Sequence, residues 1–92
     1  MVKMKLRPSA EKDLQRLDRM LRRRLILGCR EIFDDWTIGK RLGSPLHGLR
    51  SHRIDEYRII YRIHASSEVD IIAIGHRNDI YERMEKRKKS RL

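Results

Sequence analysis

The 92-residue sequence has one cysteine, two prolines and few aromatic residues, which make up 5% of the chain. A lone Cys29 allows no disulfide within the chain, and the absence of a CxxC or Cys/His ligand set argues against structural zinc. No stretch approaches the roughly 20 apolar residues of a transmembrane helix. The charged N-terminus lacks the apolar segment of a signal peptide. We therefore expect a cytoplasmic protein that has no membrane segment and needs no metal or cofactor.

Positive charge is what the sequence has in excess. Lys and Arg number 23 against 13 acidic residues, which gives a formal net charge of +10. Such a domain attracts polyanions because their counterions are released on binding. Arg outnumbers Lys, and a guanidinium can form bidentate hydrogen bonds with phosphate oxygens. The charge therefore favours a nucleic-acid ligand, although solubility or an acidic protein partner would also account for it.

The hydrophobic pattern predicts an α+β protein. Alternating residues at 2–7 indicate a half-buried strand that ends at Pro8, and Ser9 is a candidate N-cap for the helix that follows. Apolar stripes predict two amphipathic helices, 10–17 and 19–35, and Cys29 is interpreted as a core thiol rather than a nucleophile. Beyond these, we expect a loop, three strands and a basic helix at residues 37–47, 49–54, 57–64, 69–76 and 79–90.

We therefore predict one domain over residues 1–92 in the order β-α-α-β-β-β-α. The helical hairpin should cover one face of an antiparallel sheet, whose other face can stay open to solvent. Neither an internal repeat nor a linker suggests a second domain.

A two-residue turn at Asp55-Glu56 would place Arg53 directly opposite Arg58, with both side chains on the same face of the sheet. Ile72 and Ile74 would then face the helices, whereas Gly75 and Arg77 would join the two arginines. Gly75 would leave the backbone open to a ligand. The result is a cationic face with Tyr81 close by. A solvated charged face is the alternative, but a face of mixed sign would suit solubility better.

Two runs of this sequence resemble the C-terminal half of RelE/ParE-superfamily toxins. They are RIDEYRIIYRI, from Arg53 to Ile63, and VDIIAIGHRNDIY, from Val69 to Tyr81. The segment Arg7-Pro8-Ser9-Ala10 and the stretch Leu46-His47-Gly48-Leu49 also fit the family. The order and spacing of these pieces carry the resemblance, which covers nearly the whole chain. The turn Asp55-Glu56 departs from the common Gly-Asp, and Ser51 stands where the best-known member has a lysine.

The resemblance to the RelE-like branch implies a toxin that cleaves mRNA in the ribosomal A site and is neutralised by an acidic antitoxin. It implies that Arg58 and Arg77 contact the scissile phosphate and that Tyr81 stacks on or orients the nucleotide. Arg53 is a further basic residue of the site, and His76 holds a position that is lysine in some relatives. The choice between His76 and Tyr81 for proton transfer stays open. Further RNA contacts are expected from Arg50, Arg62, Lys40 and Arg41.

This chemistry needs no metal, because RNA carries its own nucleophile in the 2′-hydroxyl. Arginines can stabilise the pentavalent phosphorane, and a tyrosine or histidine can assist proton transfer. Two alternatives remain: a ParE-like gyrase inhibitor of the same fold, and a basic nucleic-acid-binding module without chemistry. The expected partners are the ribosome, mRNA and an antitoxin in a heteromeric complex. The basic run from Arg83 to Arg91 would contact ribosomal RNA or that antitoxin, or be a solvated terminus.

Overall fold

The computed structural model describes residues 3–64 and 68–89, without the side chains of residues 88 and 89. Its elements confirm the predicted α+β order. They are β1 (Lys3–Leu6), α1 (Pro8–Gln15), α2 (Arg19–Asp34), a 3-10 helix (Trp36–Ile38), β2 (Lys40–Arg41), β3 (Arg50–Ile54), β4 (Tyr57–His64), β5 (Glu68–His76) and α3 (Ile80–Lys89). The 3-10 helix and the two-residue β2 lie where the sequence predicted only a loop.

The sheet has the strand order β1-β5-β4-β3-β2. Among the three predicted strands β3, β4 and β5, neighbours are antiparallel as expected. The additional strand β2 runs antiparallel to β3. The first strand is the exception, since β1 runs parallel to β5. No tight turn joins these two strands, so chain connectivity does not force them to be antiparallel.

Beyond the end of β1, side chains of α1 form hydrogen bonds with the backbone at the edge of β5. Ser9 does not cap the helix as predicted. The N-cap residue is Arg7, which makes no side-chain capping bond. The Ser9 hydroxyl instead donates to the Ile72 carbonyl at 2.6 Å. One carboxylate oxygen of Asp13 accepts from the Ile74 amide at 2.9 Å. These bonds satisfy strand groups that would otherwise lack partners.

One face of the sheet, which we call the hairpin face, is covered by α1 and α2. Both helices carry their apolar residues at spacings of three and four, and those stripes meet the sheet. From the helices the buried cluster includes Leu14, Leu25 and Ile32. From the sheet it includes Ile59, Tyr61, Val69, Ile71 and Ile74.

The opposite face, which we call the α3 face, could have stayed open to solvent but is covered in its middle. There Leu46, Ile80 and Met84 pack on Ile60 and Ala73. A register shift adds one more apolar residue of β5 to this surface. Ile60 pairs with Ala73 but Tyr61 pairs with Ile71, which leaves Ile72 as an extra residue of β5.

The same shift corrects one side-chain orientation. Ile71, not Ile72, joins the core of the hairpin face, and Ile72 packs with the α3-face cluster. Ile74 faces the helices as predicted.

Candidate active site

The turn between β3 and β4 sets the register that the site depends on. Asp55 adopts a left-handed φ of 53°, a conformation that Asp accepts more readily than most residues. Ile54 pairs with Tyr57, and Arg53 pairs with Arg58, as the two-residue turn predicts. Ser51 and Arg53 are two positions apart on β3, so their side chains point to the same face of the sheet. That face is the α3 face, which they share with Arg58.

Arg58 is held at this turn by backbone oxygens. Its Nη1 donates to the carbonyls of Asp55 at 3.1 Å and Tyr57 at 3.0 Å. The exposed Arg53 has no side-chain partner among the described residues. Of these two paired residues, Arg58 therefore has an oriented guanidinium, whereas the guanidinium of Arg53 can move toward a bound anion.

Arg77 lies at the same end of the sheet and contacts the turn twice. Its backbone amide donates to the Glu56 carbonyl at 2.8 Å. Its Nε pairs with the Glu56 carboxylate at 2.6 Å, and the two side chains are 53% and 54% exposed. An ion pair this exposed contributes little to stability, so a phosphate can replace the carboxylate at small cost.

Tyr81 is oriented by a residue whose role the sequence did not reveal. Its hydroxyl shares a 2.9 Å hydrogen bond with the hydroxyl of Ser51, which is 6% exposed. Lys40 pairs with Ser51 in the sheet, so it shares this face. The departure from the family's lysine at position 51 was the one signal in the sequence.

His76 lies on the other face. Its ring meets Tyr57 edge to face, with centroids 5.6 Å apart, and Tyr57 packs against the core of the hairpin face. The Asn78 amide donates to its Nδ1 at 3.1 Å, so the neutral ring carries its proton on Nε2. The structure therefore separates His76 from Tyr81.

Gly75 does not leave the backbone open, and that prediction was wrong. A Cβ there would lie 2.8 Å from the Ile80 side chain, because the first turn of α3 packs on this glycine. Gly75 serves close helix–sheet packing rather than ligand access.

Three of the predicted RNA-binding arginines lie apart from Arg53, Arg58 and Arg77. Arg50 donates to the Gly39 carbonyl at 2.9 Å and stacks 5.1 Å over the Trp36 ring, and Arg41 pairs with Arg50. Both therefore belong to the hairpin side of the sheet edge. Arg62 is on the α3 face, but it lies toward the far end of β4 and pairs with the buried Asp70 at 3.3 Å.

The basic run of α3 begins with an anchored residue, not a solvated one. Arg83 makes two bonds to the Asp13 carboxylate, at 3.1 and 2.8 Å, which fix α3 to α1. The side chains of Lys88, Lys89 and Arg91 lie outside the described residues.

Two titratable groups of the core have structural roles. Burial raises the pKa of the Cys29 thiol to about 11, which supports a core thiol rather than a nucleophile. Burial also raises the pKa of Tyr61, whose hydroxyl donates to the Trp36 carbonyl and accepts from the Gly39 amide. Both side chains belong to the core of the hairpin face, whereas Arg53 and Arg58 lie on the α3 face.

No group of His, Cys, Asp and Glu side chains in the described ranges 3–64 and 68–87 is arranged to hold a metal ion. Among the helices that the structure describes, none combines the length and apolar character needed to span a bilayer.

The sequence matches the family model described as the ParE toxin of the type II toxin–antitoxin system parDE, over residues 4–81. No curated protein matches the sequence.

The fold is similar to several solved toxin structures. A chain of the RelBE2 toxin–antitoxin complex from Mycobacterium tuberculosis aligns with a TM-score of 0.73 at 24% identity, covering 82% of this chain and 96% of that one. The isolated E. coli RelE toxin aligns at 0.69 and 21%, covering 95% and 98%. YafQ from E. coli aligns at 0.68 and 14%, covering 88% and 99%. At such identities the likeness establishes the fold alone.

Proposed function

Because the chain belongs to the ParE toxin family of type II toxin–antitoxin systems, within the RelE/ParE superfamily, we propose that it is a toxin that cleaves mRNA on the ribosome. The observation that carries this proposal is that Arg53, Arg58 and Tyr81 share the α3 face, with Arg77 at the same end of the sheet. Guanidinium groups gathered at one end of a sheet suit a phosphodiester, whereas a surface that binds only protein does not require them.

In the proposed mechanism, Arg58 and Arg77 bind the scissile phosphate and stabilise the charge that develops on the phosphorane. The 2′-oxygen attacks phosphorus and loses its proton, while the bond to the 5′-oxygen breaks and that oxygen gains a proton. The products are a 2′,3′-cyclic phosphate and a 5′-hydroxyl. We assign the proton that the 5′-oxygen gains to the Tyr81 hydroxyl rather than to His76, because Tyr81 is the one on the α3 face. Solvent water takes the proton that the 2′-hydroxyl loses and returns one to Tyr81.

A second candidate function is gyrase inhibition, and one observation favours it: the family model that matches carries the name ParE. The two functions differ in their products. Site-specific cuts in mRNA, read by primer extension after induction, support the ribonuclease. DNA breaks with an induced SOS response and intact mRNA support the gyrase inhibitor.

The partner that we propose is an acidic antitoxin, in a heteromeric complex that covers the cationic site. A net charge of +10 on 92 residues favours an acidic, amphipathic segment that folds on binding. The other partners follow from the activity: mRNA as the substrate and the ribosome as the place of cleavage.

The test is Arg58→Ala, assayed by primer extension on translating ribosomes. Loss of one preorganised phosphate donor should slow cleavage about 100-fold or more. Arg23→Ala is the matched control, because Arg23 is an exposed arginine of α2. Equal cleavage by the two variants would remove Arg58 from the mechanism, and intact mRNA with the unaltered protein would refute the ribonuclease.

A further inference from the structure

A pocket of about 250 Å³ lies on the α3 face, away from the Asp55-Glu56 turn. Residues from the start of α1, the segment 46–49, the sheet and α3 line it. Arg7, Arg62 and Arg87 supply positive charge, and Leu46, Ile72 and Met84 supply an apolar surface. None of the residues assigned above to phosphate cleavage lines it.

The charge of this pocket selects an anion. No acidic residue belongs to its lining in the part of the chain that the structure describes. Arg62 pairs with Asp70 through Nη2, and one buried atom of each residue, Arg62 Nε and Asp70 Oδ1, has no hydrogen-bond partner among the described residues. The Arg62 side chain is 43% exposed, so part of it remains accessible from the pocket. Guanidinium groups in a concave site favour phosphate or carboxylate.

The apolar lining adds a second requirement, since it suits a group without charge. Ile72 and Met84 belong to the buried or half-buried α3-face cluster, so they present a fixed surface. The pocket is smaller than the about 300–1,000 Å³ of drug-sized ligand sites. It therefore has room for one small group, and a nucleotide supplies both the anion that the arginines favour and the uncharged base that the apolar surface suits.

The position of the pocket connects it to the proposed cleavage site. Strand β4 carries Arg58 at one end and Arg62 four residues on, a separation of roughly 13 Å at about 3.3 Å per residue. Helix α3 carries Tyr81 and, one turn later, Met84. A short single strand of RNA can span the roughly 13 Å between these two positions of β4.

We propose that this pocket binds one nucleotide of the RNA, a few positions from the cleaved bond, with the base on the apolar surface and the phosphate on Arg7 and Arg62. The choice of RNA as ligand rests on the proposed function. An acidic peptide is the competing occupant, and the test decides between them.

The test uses the low reactivity of the one natural thiol. Because burial raises the pKa of Cys29 to about 11, it stays protonated and shielded at pH 8. His47→Cys places a reactive thiol at the pocket, and Met20→Cys places a control thiol on α2, at a side chain that is 77% exposed. Alkylation is followed with and without a saturating 2′-O-methyl RNA oligonucleotide, which cannot be cleaved.

We expect the RNA to slow alkylation at position 47 at least fivefold and to leave position 20 unchanged. Equal rates with and without RNA at position 47, or equal protection at both positions, would overturn the proposal. Protection at position 47 by polyglutamate but not by RNA would also overturn it and would assign the pocket to an acidic peptide.

A second measurement covers the case in which His47→Cys itself weakens binding. Arg7→Ala should reduce the slope of log affinity against log salt by about 1 for the same RNA, and Arg23→Ala should not. Equal slopes for both variants would contradict the proposal. Cleavage of unmodified mRNA is measured in parallel, so that RNA binding at the pocket without cleavage refutes the proposed ribonuclease while leaving this site standing.

Discussion

The two faces of the sheet differ in what covers them. Two helices bury the hairpin face, where Leu25, Ile32 and Ile59 are fully inaccessible. One ten-residue helix and a loop cover the middle of the α3 face, which leaves cationic side chains on either side of that cover. Stability and the proposed chemistry therefore depend mainly on different faces. The buried hairpin face stabilises the fold, and the partly covered α3 face can bind a ligand.

The sharpest test of this division is Ile32→Ala on the hairpin face. Removing this fully buried side chain should lower the free energy of unfolding by about 2–5 kcal/mol, measured by urea denaturation. Ile26→Ala on the same helix is the control. Ile26 is 44% exposed, so its loss should cost about 0.5 kcal/mol or less. Similar costs for the two variants would mean that the hairpin face is not the main core.

Tyr61→Phe tests the polar part of the same face. The change leaves the buried Gly39 amide without its acceptor and the Trp36 carbonyl without its donor, so it should cost about 1–3 kcal/mol. Tyr57→Phe is the matched control, because the Tyr57 hydroxyl has no hydrogen-bond partner among the described residues. Thermal unfolding of both variants measures the difference, and a harmless Tyr61→Phe would contradict the geometry.

Cys29 predicts how the hairpin face responds to high pH. An unfolded thiol loses its proton near 9.0, whereas burial raises the native pKa to about 11. The native state thus binds more protons between these values, and stability falls as pH rises through them. Each pKa unit corresponds to about 1.4 kcal/mol. Between pH 8.5 and 10.5, before the native thiol is fully ionised, the loss should be about 1–2 kcal/mol. Unfolding at pH 8.5 and 10.5 should show a smaller loss for Cys29→Ala than for the unaltered chain. An identical loss would mean that the thiol is not shielded.

The smallest effect is expected at the contact that joins α3 to α1. Arg83→Met removes both bonds to Asp13 and should cost about 1 kcal/mol, since Arg83 is 39% exposed. Hydrogen exchange of α3 amides should speed up about fivefold while β4 and β5 stay protected. Lys86→Met removes the exposed pair with Glu82 and should leave exchange unchanged. Faster exchange throughout the sheet would show that the two faces are not independent.

The sequence predicted the elements because their hydrophobic periods are clear, and the β3–β4 register because a two-residue turn allows one pairing. It did not predict the shift in β5. Ile71, Ile72, Ala73 and Ile74 are all apolar, so alternation gives no sign of where the extra residue lies. That extra residue, Ile72, packs against the cluster that covers the middle of the α3 face.

The grouping of Arg53, Arg58 and Tyr81 could be predicted from register and family pattern. The contacts that orient Tyr81 and fix helix α3 could not be predicted. Ser51 meets Tyr81 across 30 positions of sequence, and Asp13 meets Arg83 across 70. Such distant polar pairs leave no periodic signal, and the same is true of the arginines that line the pocket.

The carboxylate of Glu56 has one more consequence. It already occupies the guanidinium of Arg77 in the resting protein. A phosphodiester that binds Arg77 must displace it, so the measured affinity reports an exchange of one anion for another. Raising the ionic strength weakens the resident carboxylate and the incoming phosphate together, which should make this one contact less sensitive to salt than the others.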